Sequence, residues 1–291
     1  MAETILITGA GGQLGQELLR SVPAGVTAHG LTRAELDIAD RDAVARAVSS
    51  LAPGVVINAA AYTAVDRAET EIAAAMAINA AGAENLARAC VAGGARLIHV
   101  STDFVFNGAS SIPYTPDARP SPLGVYGQSK LAGEQRVRAR MPGAVIIRTA
   151  WVYSALGANF VKTMLRLMAE RDALTVVADQ IGTPTWAAGL AGALWQAAAR
   201  RELSGIYHWS DAGACSWYDF AVAIAEEAQA LGLLDVAPGI TPIPGRAYPT
   251  PARRPAFSVL DKTDSWRELQ LPPVHWRQNL RRMLAQLAEQ S

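Results

Sequence analysis

The sequence predicts an α/β protein built on a doubly wound, mostly parallel sheet of the Rossmann type, with a smaller carboxyl-terminal lobe. Three observations predict this fold class. Short β-branched runs lack polar alternation, as strands buried on both faces do. Helical patterns separate these runs, and a glycine-rich turn follows the first of them. With 291 residues, of which 51% are apolar, the chain is long enough for one large domain and a smaller companion.

Five segments of the first half read as strands of this sheet. Repeated strand–helix–strand units make the sheet mostly parallel, with helices on both faces. Ligands of such sheets bind outside the carboxyl ends of the strands, so functional side chains are expected there. The segments are TILIT (4–8), VTAHGLT (26–32), GVVINAA (54–60), RLIHVST (96–102) and AVIIRTA (144–150), of which 26–32 is the weakest.

Helical patterns lie between the strands and continue after them. Asp40 is a suitable N-cap for DRDAVARAVSSL, and the pattern over 76–94 stops at paired glycines, as helices often do. Residues 159–172 and 216–232 read as amphipathic helices. The segment PGITPIPGRAYPTPARRP (238–255) is dense in Pro, Gly and Arg, so we expect it to be largely irregular.

The glycine-rich turn follows the first strand directly. Gly9, Gly12 and Gly15 are spaced three apart in TGAGGQLGQELL, with Gln13 in the turn and a helical pattern from Leu14 onward. Missing side chains let a diphosphate approach the backbone, where free N–H groups and the helix dipole meet it. A merely tight turn with close strand–helix packing is the alternative. The position at the first strand–helix junction favours dinucleotide binding.

The end of the second strand bears on which dinucleotide is bound. NAD-preferring sites usually place an Asp or Glu there to hold the ribose hydroxyls, but here the strand ends at Thr32 and Arg33 without an acid. Arg33 suits a 2′-phosphate, which predicts NADPH. A solvated surface arginine is the alternative reading of Arg33, so NADH stays possible. Asp37 and Ile38 come next and are expected to flank the adenine.

Composition excludes several other classes of function. The 26 basic and 26 acidic residues balance with no block of one sign, so neither a nucleic acid nor a membrane surface is expected as a partner. The N-terminal run lacks the pattern of a signal peptide, and no apolar stretch is long enough to span a membrane. Cys90 and Cys215 have no paired spacing, which suits a reduced cytoplasmic protein. The four histidines show no metal-binding spacing.

Reactive side chains follow the end of the fourth strand. That strand ends at Thr102, and Tyr126 and Lys130 come four positions apart at the start of the next helical pattern. Such spacing places a phenol and an ammonium group on one helix face. Because a nearby cation favours the phenolate, we expect Lys130 to lower the pKa of Tyr126 by about 3 units, or ~4 kcal/mol, and make it a usable acid. A packed tyrosine and a solvated lysine are the alternative reading of this spacing alone.

A strand-end hydroxyl, Tyr-x-x-x-Lys and Gly-x-x-Gly-x-x-Gly together resemble the extended short-chain dehydrogenase/reductase superfamily. Further motifs make the chain resemble one branch of it, the dTDP-4-dehydrorhamnose reductase family, over essentially the whole length. These motifs run in order from residue 58 to 255 and read NAAAYTAVDRAE, STDFVFNG, SPLGVYGQSKLAGE, RTAWVY, NFVKTMLRL, DQIGTPT and YPTPARRP. The later motifs separate this family from sugar epimerases and dehydratases.

The resemblance implies a function in nucleotide-sugar biosynthesis for cell-surface polysaccharide. The implied reaction is NADPH-dependent reduction of a dTDP-linked 4-keto-6-deoxy sugar, dTDP-4-dehydro-L-rhamnose, by a monomer or homodimer. Tyr126 is then the general acid, Lys130 also holds the nicotinamide ribose, and Thr102 orients the ketone oxygen. Thr102 and Asp103 match the substrate-contacting pair of the family, and Trp151 matches the aromatic residue beside the sugar.

The same resemblance implies roles for further residues. Arg254 is the candidate for the substrate diphosphate, because a planar guanidinium fork suits phosphate, and Arg253 is the alternative. Glu17 matches an acidic position that some family members use for a divalent metal in dimer contacts. Apolar Ala187 and Ala188 stand where a partner acid would be wanted, so no metal is predicted. Further predicted cofactor contacts are Gly12, Gln13, Leu14, Ala61, Tyr62, Thr63 and Val100.

These assignments divide the chain into two parts. Residues 1–150 form the predicted dinucleotide-binding Rossmann domain, to which later segments, roughly 174–210, return. Residues 151–291 form mainly a substrate-binding lobe, so this lobe is expected to be discontinuous in sequence.

Other functions fit parts of the pattern. A dehydratase of this superfamily would want an acid pair after Thr102, but Asp103 is followed by Phe104. A different nucleotide-sugar 4-ketoreductase or an epimerase could use the same Thr, Tyr and Lys. The epimerase would keep NAD bound, which the missing acid after the second strand disfavours. A non-catalytic nucleotide-binding regulatory subunit could afford to lose Tyr126 or Lys130, and this chain has both.

Overall fold

The fold consists of a central sheet, helices on both of its faces, and smaller sheets contributed by the second half of the chain. The computed structural model describes residues 3–289. The strands are β1 (Glu3–Thr8), β2 (Val26–Leu31), β3 (Val55–Asn58), β4 (Arg96–Thr102), β5 (Val145–Thr149), β6 (Val152–Tyr153), β7 (Ala173–Val177), β8 (Ile181–Gly182), β9 (Thr185–Trp186), β10 (Gly205–His208), β11 (Cys215–Ser216) and β12 (Gly239–Ile243). The helices are α1 (Gln13–Arg20), α2 (Arg41–Leu51), α3 (Val65–Ala68), α4 (Ile72–Met76), α5 (Ala83–Gly93), α6 (Val125–Arg140), α7 (Phe160–Glu170), α8 (Ala187–Ala199), α9 (Trp217–Ala230), α10 (Thr263–Glu268) and α11 (Trp276–Ala288).

The central sheet has the strand order β2-β1-β3-β4-β5-β10, and every neighbouring pair is parallel. The chain moves outward from β1 to β2 and then returns to β3 on the other side of β1. The carboxyl ends of β1 and β3 therefore flank the crevice where doubly wound sheets bind their ligands. The predicted fold class is confirmed, and all five predicted strands are present. The sequence pattern does not single out β10, because four residues are too few to show a period.

The predicted helices are also present, with one local departure. The Asp40 carboxylate accepts hydrogen bonds from two backbone N–H groups at the start of α2, as an N-cap should. Helix α5 ends at Gly93 and is followed by Gly94, whose φ of +70° favours glycine. Between α4 and α5 the helix widens into a π-helical stretch over Ala77–Gly82. Such stretches often occur at functional sites.

The segment 238–255 is less irregular than expected. Residues Gly239–Ile243 form β12, which pairs in parallel with β7 in a two-stranded sheet. Pro242 is compatible with this strand, because β12 has a single neighbour and an edge strand tolerates a residue without an N–H donor. A short 3-10 turn follows over Gly245–Ala247. The division of the chain into 1–150 and a discontinuous lobe stays a prediction.

Apolar side chains form separate clusters on the two faces of the sheet and under the second half of the chain. Ile5 and Ile7 of β1 point to one face and Leu6 points to the other, as period-2 alternation requires. Helices α1 and α8 cover the first face, and helices α2, α5 and α6 cover the second. A third cluster joins α7, α9 and α11 around Phe220 and Leu280. Among residues 3–289, no helix has the length and apolar character that a membrane crossing requires.

A buried ion pair holds α6 against the sheet. The Arg148 side chain of β5 donates to Glu134 of α6 through Nε at 2.9 Å and Nη2 at 2.7 Å, and both side chains are 2% exposed. The Ser101 hydroxyl of β4 also donates to Glu134, and Arg148 Nη1 donates to the Pro116 carbonyl oxygen at 3.2 Å. The guanidinium lies over the Phe106 ring, 5.2 Å from its centroid. The two buried charges are therefore paired and further hydrogen-bonded.

Replacing Arg148 with Met should lower the free energy of unfolding by about 3–5 kcal/mol, because Glu134 is left as an unpaired buried charge. Urea unfolding measures this difference. Arg148→Met/Glu134→Leu removes both charges and should recover much of the loss. Arg166→Ala breaks an exposed pair with Glu170 and should cost less than about 1 kcal/mol. Equal losses for Arg148→Met and Arg166→Ala would contradict a structural role for the buried pair.

Candidate active site

The glycine turn after β1 packs closely against the backbone of the segment after β3 and against the start of α1. Gly9 has a φ of +74°, and a Cβ atom there would lie 2.6 Å from the Ala60 nitrogen. A Cβ atom on Gly15 would lie 2.3 Å from the Gly9 carbonyl oxygen. Both positions therefore require glycine. Helix α1 begins after Gly12 without a side-chain cap, so its first N–H groups and the positive end of its dipole suit an anionic group such as a pyrophosphate.

The chain after β6 packs over this turn. The Gln13 side-chain oxygen accepts a hydrogen bond from Asn159 Nδ2 at 2.9 Å, which fixes Gln13 next to the helix start. Leu14 points into the core beneath the sheet. The Glu17 carboxylate is buried and accepts a hydrogen bond from the Ser154 hydroxyl. Among residues 3–289, no three His, Cys, Asp or Glu side chains are grouped so that they could hold a metal ion.

The carboxylate of Glu35 folds back to the end of β2, where the sequence pattern itself places no acidic residue. The Glu35 carboxylate accepts hydrogen bonds from the backbone N–H and the hydroxyl of Thr32, both at 2.8 Å. These bonds hold the pKa of Glu35 below its usual value. Sequence reasoning missed Glu35 because it follows the strand end by several residues and only the turn brings it back. Arg33, between them, is exposed.

The two residues expected to flank adenine differ in their surroundings. Asp37 is exposed, and its carboxylate accepts a hydrogen bond from the Ala39 N–H at 2.9 Å. Ile38 is only 3% exposed and packs in the core, where a Cβ atom on Gly82 would come within 2.7 Å of it. The Ile38 side chain therefore belongs to the packing between β2 and the helices, and Asp37 remains accessible.

The segment after β3 is tied to helix α6 by an asparagine that sequence reasoning missed. Asn79 lies in the π-helical stretch and is 1% exposed. Its side chain accepts from the Tyr62 N–H at 2.8 Å and donates to the Tyr62 carbonyl oxygen at 3.1 Å and the Ser129 hydroxyl at 3.0 Å. Ala61 and Thr63 flank this anchored residue. No residue pattern predicts the π-helical stretch, so the sequence carries no signal for Asn79.

Tyr126 lies on the first turn of α6, next to the end of β4. A Cβ atom on Gly127 would lie 2.2 Å from the Phe104 carbonyl oxygen, so glycine lets the helix start approach the turn after β4. The Phe104 and Tyr126 rings meet edge-on at 5.5 Å. Burial raises the pKa of Tyr126 to about 12, a hydrogen bond with the Thr102 hydroxyl opposes this rise, and the charge of Asp103 adds to it.

Lys130 lies one helical turn further on and is 2% exposed. Its ammonium group donates to the Val100 carbonyl oxygen at 2.7 Å. Burial lowers the pKa of Lys130 to about 8, against the opposing charge of Glu134. The expected fall in the pKa of Tyr126 is therefore not found, because burial outweighs the hydrogen bond with Thr102. The Lys130 ammonium group donates to the Val100 carbonyl oxygen instead.

Thr102 and Asp103 form a buried pair at the carboxyl end of β4. The Thr102 hydroxyl donates to the Asp103 carboxylate at 3.0 Å and accepts from the Phe104 N–H at 3.2 Å. Burial raises the pKa of Asp103 to about 6, against hydrogen bonds from Ser258 and Thr102. Thr102, Asp103, Tyr126 and the Lys130 ammonium on the Val100 carbonyl therefore gather at one strand end.

Local contacts constrain the side chains of Trp151 and Arg254. Trp151 has a φ of +47°, which is rare for a bulky residue, and its indole stacks on Trp217. The Arg254 guanidinium forms a two-point ion pair with Asp66, at 3.1 Å and 2.8 Å, and this bond is the main reason that the pKa of Asp66 lies below its usual value. Arg253 is exposed.

The chain is similar to known proteins over nearly its full length. A family model described as RmlD substrate binding domain matches residues 3–289. A dTDP-4-dehydrorhamnose reductase from Aggregatibacter actinomycetemcomitans is 42% identical, covering 97% of this chain and 98% of that protein. The spore coat polysaccharide biosynthesis protein SpsK of Bacillus subtilis is 41% identical, covering 96% of each.

A solved structure shows the same fold. The chain resembles the crystal structure of dTDP-4-dehydrorhamnose reductase from Bacillus anthracis in complex with NADP, with a TM-score of 0.93 and 37% identity. The match covers 98% of this chain and 100% of that chain. Family model, sequence relatives and structure agree over nearly the full length, and we conclude that the chain belongs to the dTDP-4-dehydrorhamnose reductase family.

Proposed function

We propose that this protein reduces the 4-keto group of dTDP-4-dehydro-L-rhamnose with NADPH to give dTDP-L-rhamnose. The observation that carries the proposal is the meeting of Tyr126, Thr102 and Lys130 at the end of β4, on the sheet edge that also carries the glycine turn. The curated name of the Aggregatibacter relative and the NADP complex of the Bacillus anthracis protein support this substrate and cofactor. The name of the Bacillus subtilis relative supports a role in polysaccharide synthesis.

The residues around the glycine turn fit a dinucleotide. The uncapped first turn of α1, at Gln13 and Leu14, would hold the pyrophosphate through backbone N–H groups. Lys130, fixed on the Val100 carbonyl, would hold the nicotinamide ribose. At the other end, exposed Arg33 would meet a 2′-phosphate, beside the Glu35 carboxylate. When bound, NADPH supplies the hydride that reduces the ketone.

Tyr126 supplies the proton. Its raised pKa keeps the phenol protonated at neutral pH, so the acid is present in the form that donates. The oxygen that receives the proton becomes an alkoxide as the ketone is reduced, and an alkoxide is a stronger base than a phenolate. Proton transfer from Tyr126 is therefore favourable without a lowered pKa. The Thr102 hydroxyl would orient the same oxygen by turning its proton from the Asp103 carboxylate, to which it donates in the structure, to the ketone.

The remaining predicted contacts are assigned to the sugar nucleotide. Trp151 forms a wall of the sugar site, beside Thr102 and Asp103. Arg254 receives the diphosphate, and its ion pair with Asp66 sets the orientation of the guanidinium before the ligand arrives. A monomer or homodimer, a cytoplasmic location and the absence of a metal stay predictions.

The proposed activity is tested by supplying the purified protein with several dTDP- and GDP-linked 4-keto sugars and with NADPH or NADH. Loss of nicotinamide absorbance should follow addition of dTDP-4-dehydro-L-rhamnose, one cofactor molecule being consumed for each sugar reduced. Consumption with a GDP-linked sugar alone would reassign the substrate. Conversion of a sugar without net consumption of cofactor would identify an epimerase.

Tyr126→Phe should reduce kcat by about 10²–10⁴-fold, because the general acid is lost while the ring packing is kept. NADPH affinity, measured by fluorescence titration, should change by less than about threefold, since a hydroxyl contributes little to cofactor binding here. Phe104→Leu alters the neighbouring ring without touching the proton donor and should keep most of the rate. A Tyr126→Phe enzyme with near-normal kcat would remove Tyr126 from the reaction.

The rate should fall in alkaline solution as Lys130 loses its proton. Burial lowers the pKa of Lys130 to about 8, so the charged form is complete below that pH and declines above it. We expect kcat/KM to be level near neutral pH and to fall about tenfold per pH unit well above 8. Lys130→Ala should lower the rate and the affinity for NADPH together and lose this decline. A wild-type profile that stays level to about pH 10 would contradict a reaction that depends on the charge of a Lys130 with a pKa of about 8.

A further inference from the structure

The stacked indole rings of Trp151 and Trp217 lie at the carboxyl edge of the central sheet, next to the proposed reaction site at the end of β4. The Trp151 and Trp217 ring centroids are 3.4 Å apart, with 7° between the ring planes. Trp151 follows β5 by two residues, and the last residue of β5, Thr149, pairs with Thr102 of β4. The stack therefore stands beside the strand end that carries the proposed reaction.

The backbone of Trp151 is held in an uncommon conformation. Its φ of +47° lies in the left-handed region, which is strained for a bulky side chain unless the surroundings determine it. The Trp151 carbonyl oxygen accepts from the Thr185 N–H at 3.1 Å. The side chain packs against a small apolar cluster that includes Phe106 and Leu260. Such strain persists only where the surrounding structure fixes the conformation, and it clusters at functional sites.

Trp217 is itself placed by a rigid element. It is the first residue of α9, whose start is fixed by a capping box between Ser216 and Asp219. The preceding strand β11 pairs with β8, so that Ser216 lies opposite Ile181. The Phe160 ring contacts the Trp217 ring at 4.7 Å. Trp217 therefore has little freedom to follow Trp151 if the latter moves.

A second contact fills the space between β8 and the Trp151 ring. A Cβ atom on Gly182 would lie 2.6 Å from Cε2 of the Trp151 indole and 2.8 Å from its Nε1. Gly182 belongs to β8, the strand that pairs with β11. The β8–β11 pair thus carries Gly182, which leaves space for the Trp151 ring, and Ser216, which directly precedes Trp217 in the chain.

We propose that Trp217 is a positioning residue for substrate specificity, which holds the Trp151 indole as a fixed wall against the sugar of the nucleotide substrate. This inference rests on the proposed function, because it takes the sugar to bind at the strand end beside Trp151. A flat aromatic wall suits the C–H face of a deoxyhexose ring and contributes to binding only if it is held in place. Trp217 acts through Trp151 and takes no part in proton transfer.

The test is steady-state kinetics of Trp217→Ala and Trp217→Phe with dTDP-4-dehydro-L-rhamnose and NADPH. Trp217→Ala should raise KM for the sugar nucleotide about tenfold, because the stack is lost. The kcat should change by less than about threefold, and KM for NADPH should stay the same. Trp217→Phe keeps an aromatic partner and should restore most of the sugar affinity. A merely structural role would move kcat and both KM values together.

Two further measurements keep the inference testable if Trp217→Ala folds poorly. Gly182→Ala crowds the Trp151 ring from β8 and should raise KM for the sugar alone. The excitonic couplet of stacked indoles in far-ultraviolet circular dichroism should be present in the wild type and absent from Trp217→Phe. Trp266→Phe, which removes an indole outside the stack, should keep the couplet. Loss of the couplet in Trp266→Phe, or its absence from the wild type, overturns the inference.

Calorimetric binding of dTDP-L-rhamnose separates this inference from the proposed function. If the wild type shows no reductase activity yet binds the nucleotide sugar more tightly than Trp217→Ala, the inference stands and the proposed function fails. If the wild type reduces the sugar and Trp217→Ala has unchanged KM and affinity, only the inference fails. A wild type that neither reduces nor binds the sugar overturns both.

Discussion

The chemistry of this protein depends on how closely helix α6 approaches the end of strand β4. Gly127 permits the approach, because a Cβ atom there would lie 2.2 Å from the Phe104 carbonyl oxygen, and Gly133 lets the same helix lie equally close to the Asn79 carbonyl oxygen of the π-helical stretch. The buried pair between Glu134 and Arg148 then prevents the helix from sliding along the sheet. The phenol and the ammonium group of α6 reach the strand end only because these contacts fix both the depth and the register of the helix.

Much of the fold could be predicted from the sequence, because buried parallel strands and amphipathic helices leave clear periods. The strands ending at Thr8 and Thr102, the cap at Asp40 and the stop at Gly94 all follow from local patterns. Strand β12 could not be predicted, since the prolines in and beside it indicate irregular structure and only the neighbouring β7 makes it a strand. Pairing between distant segments leaves no local signal in either of them.

The candidate site was predictable in its residue types and less so in its electrostatics. Spacing alone brings Tyr126 and Lys130 to one helix face, but it does not show how deeply the two groups are buried. In the structure, burial raises the pKa of the phenol and lowers that of the ammonium group. Glu35 and Asn79 were missed because a turn and a π-helical stretch, which no residue pattern marks, carry them to the site.

If Arg254 receives the substrate diphosphate as we propose, its ion pair with Asp66 limits how firmly the nucleotide is held. The carboxylate already occupies two donors of the guanidinium, at 3.1 Å and 2.8 Å. An arriving diphosphate would therefore meet a cation whose charge Asp66 already neutralises, or would take these two donors from Asp66. The net gain is the difference between two charge-assisted contacts, which is smaller than either. Since the proposed substrate and product carry the same diphosphate, such an arrangement would shorten the residence of both and favour rapid exchange over tight capture.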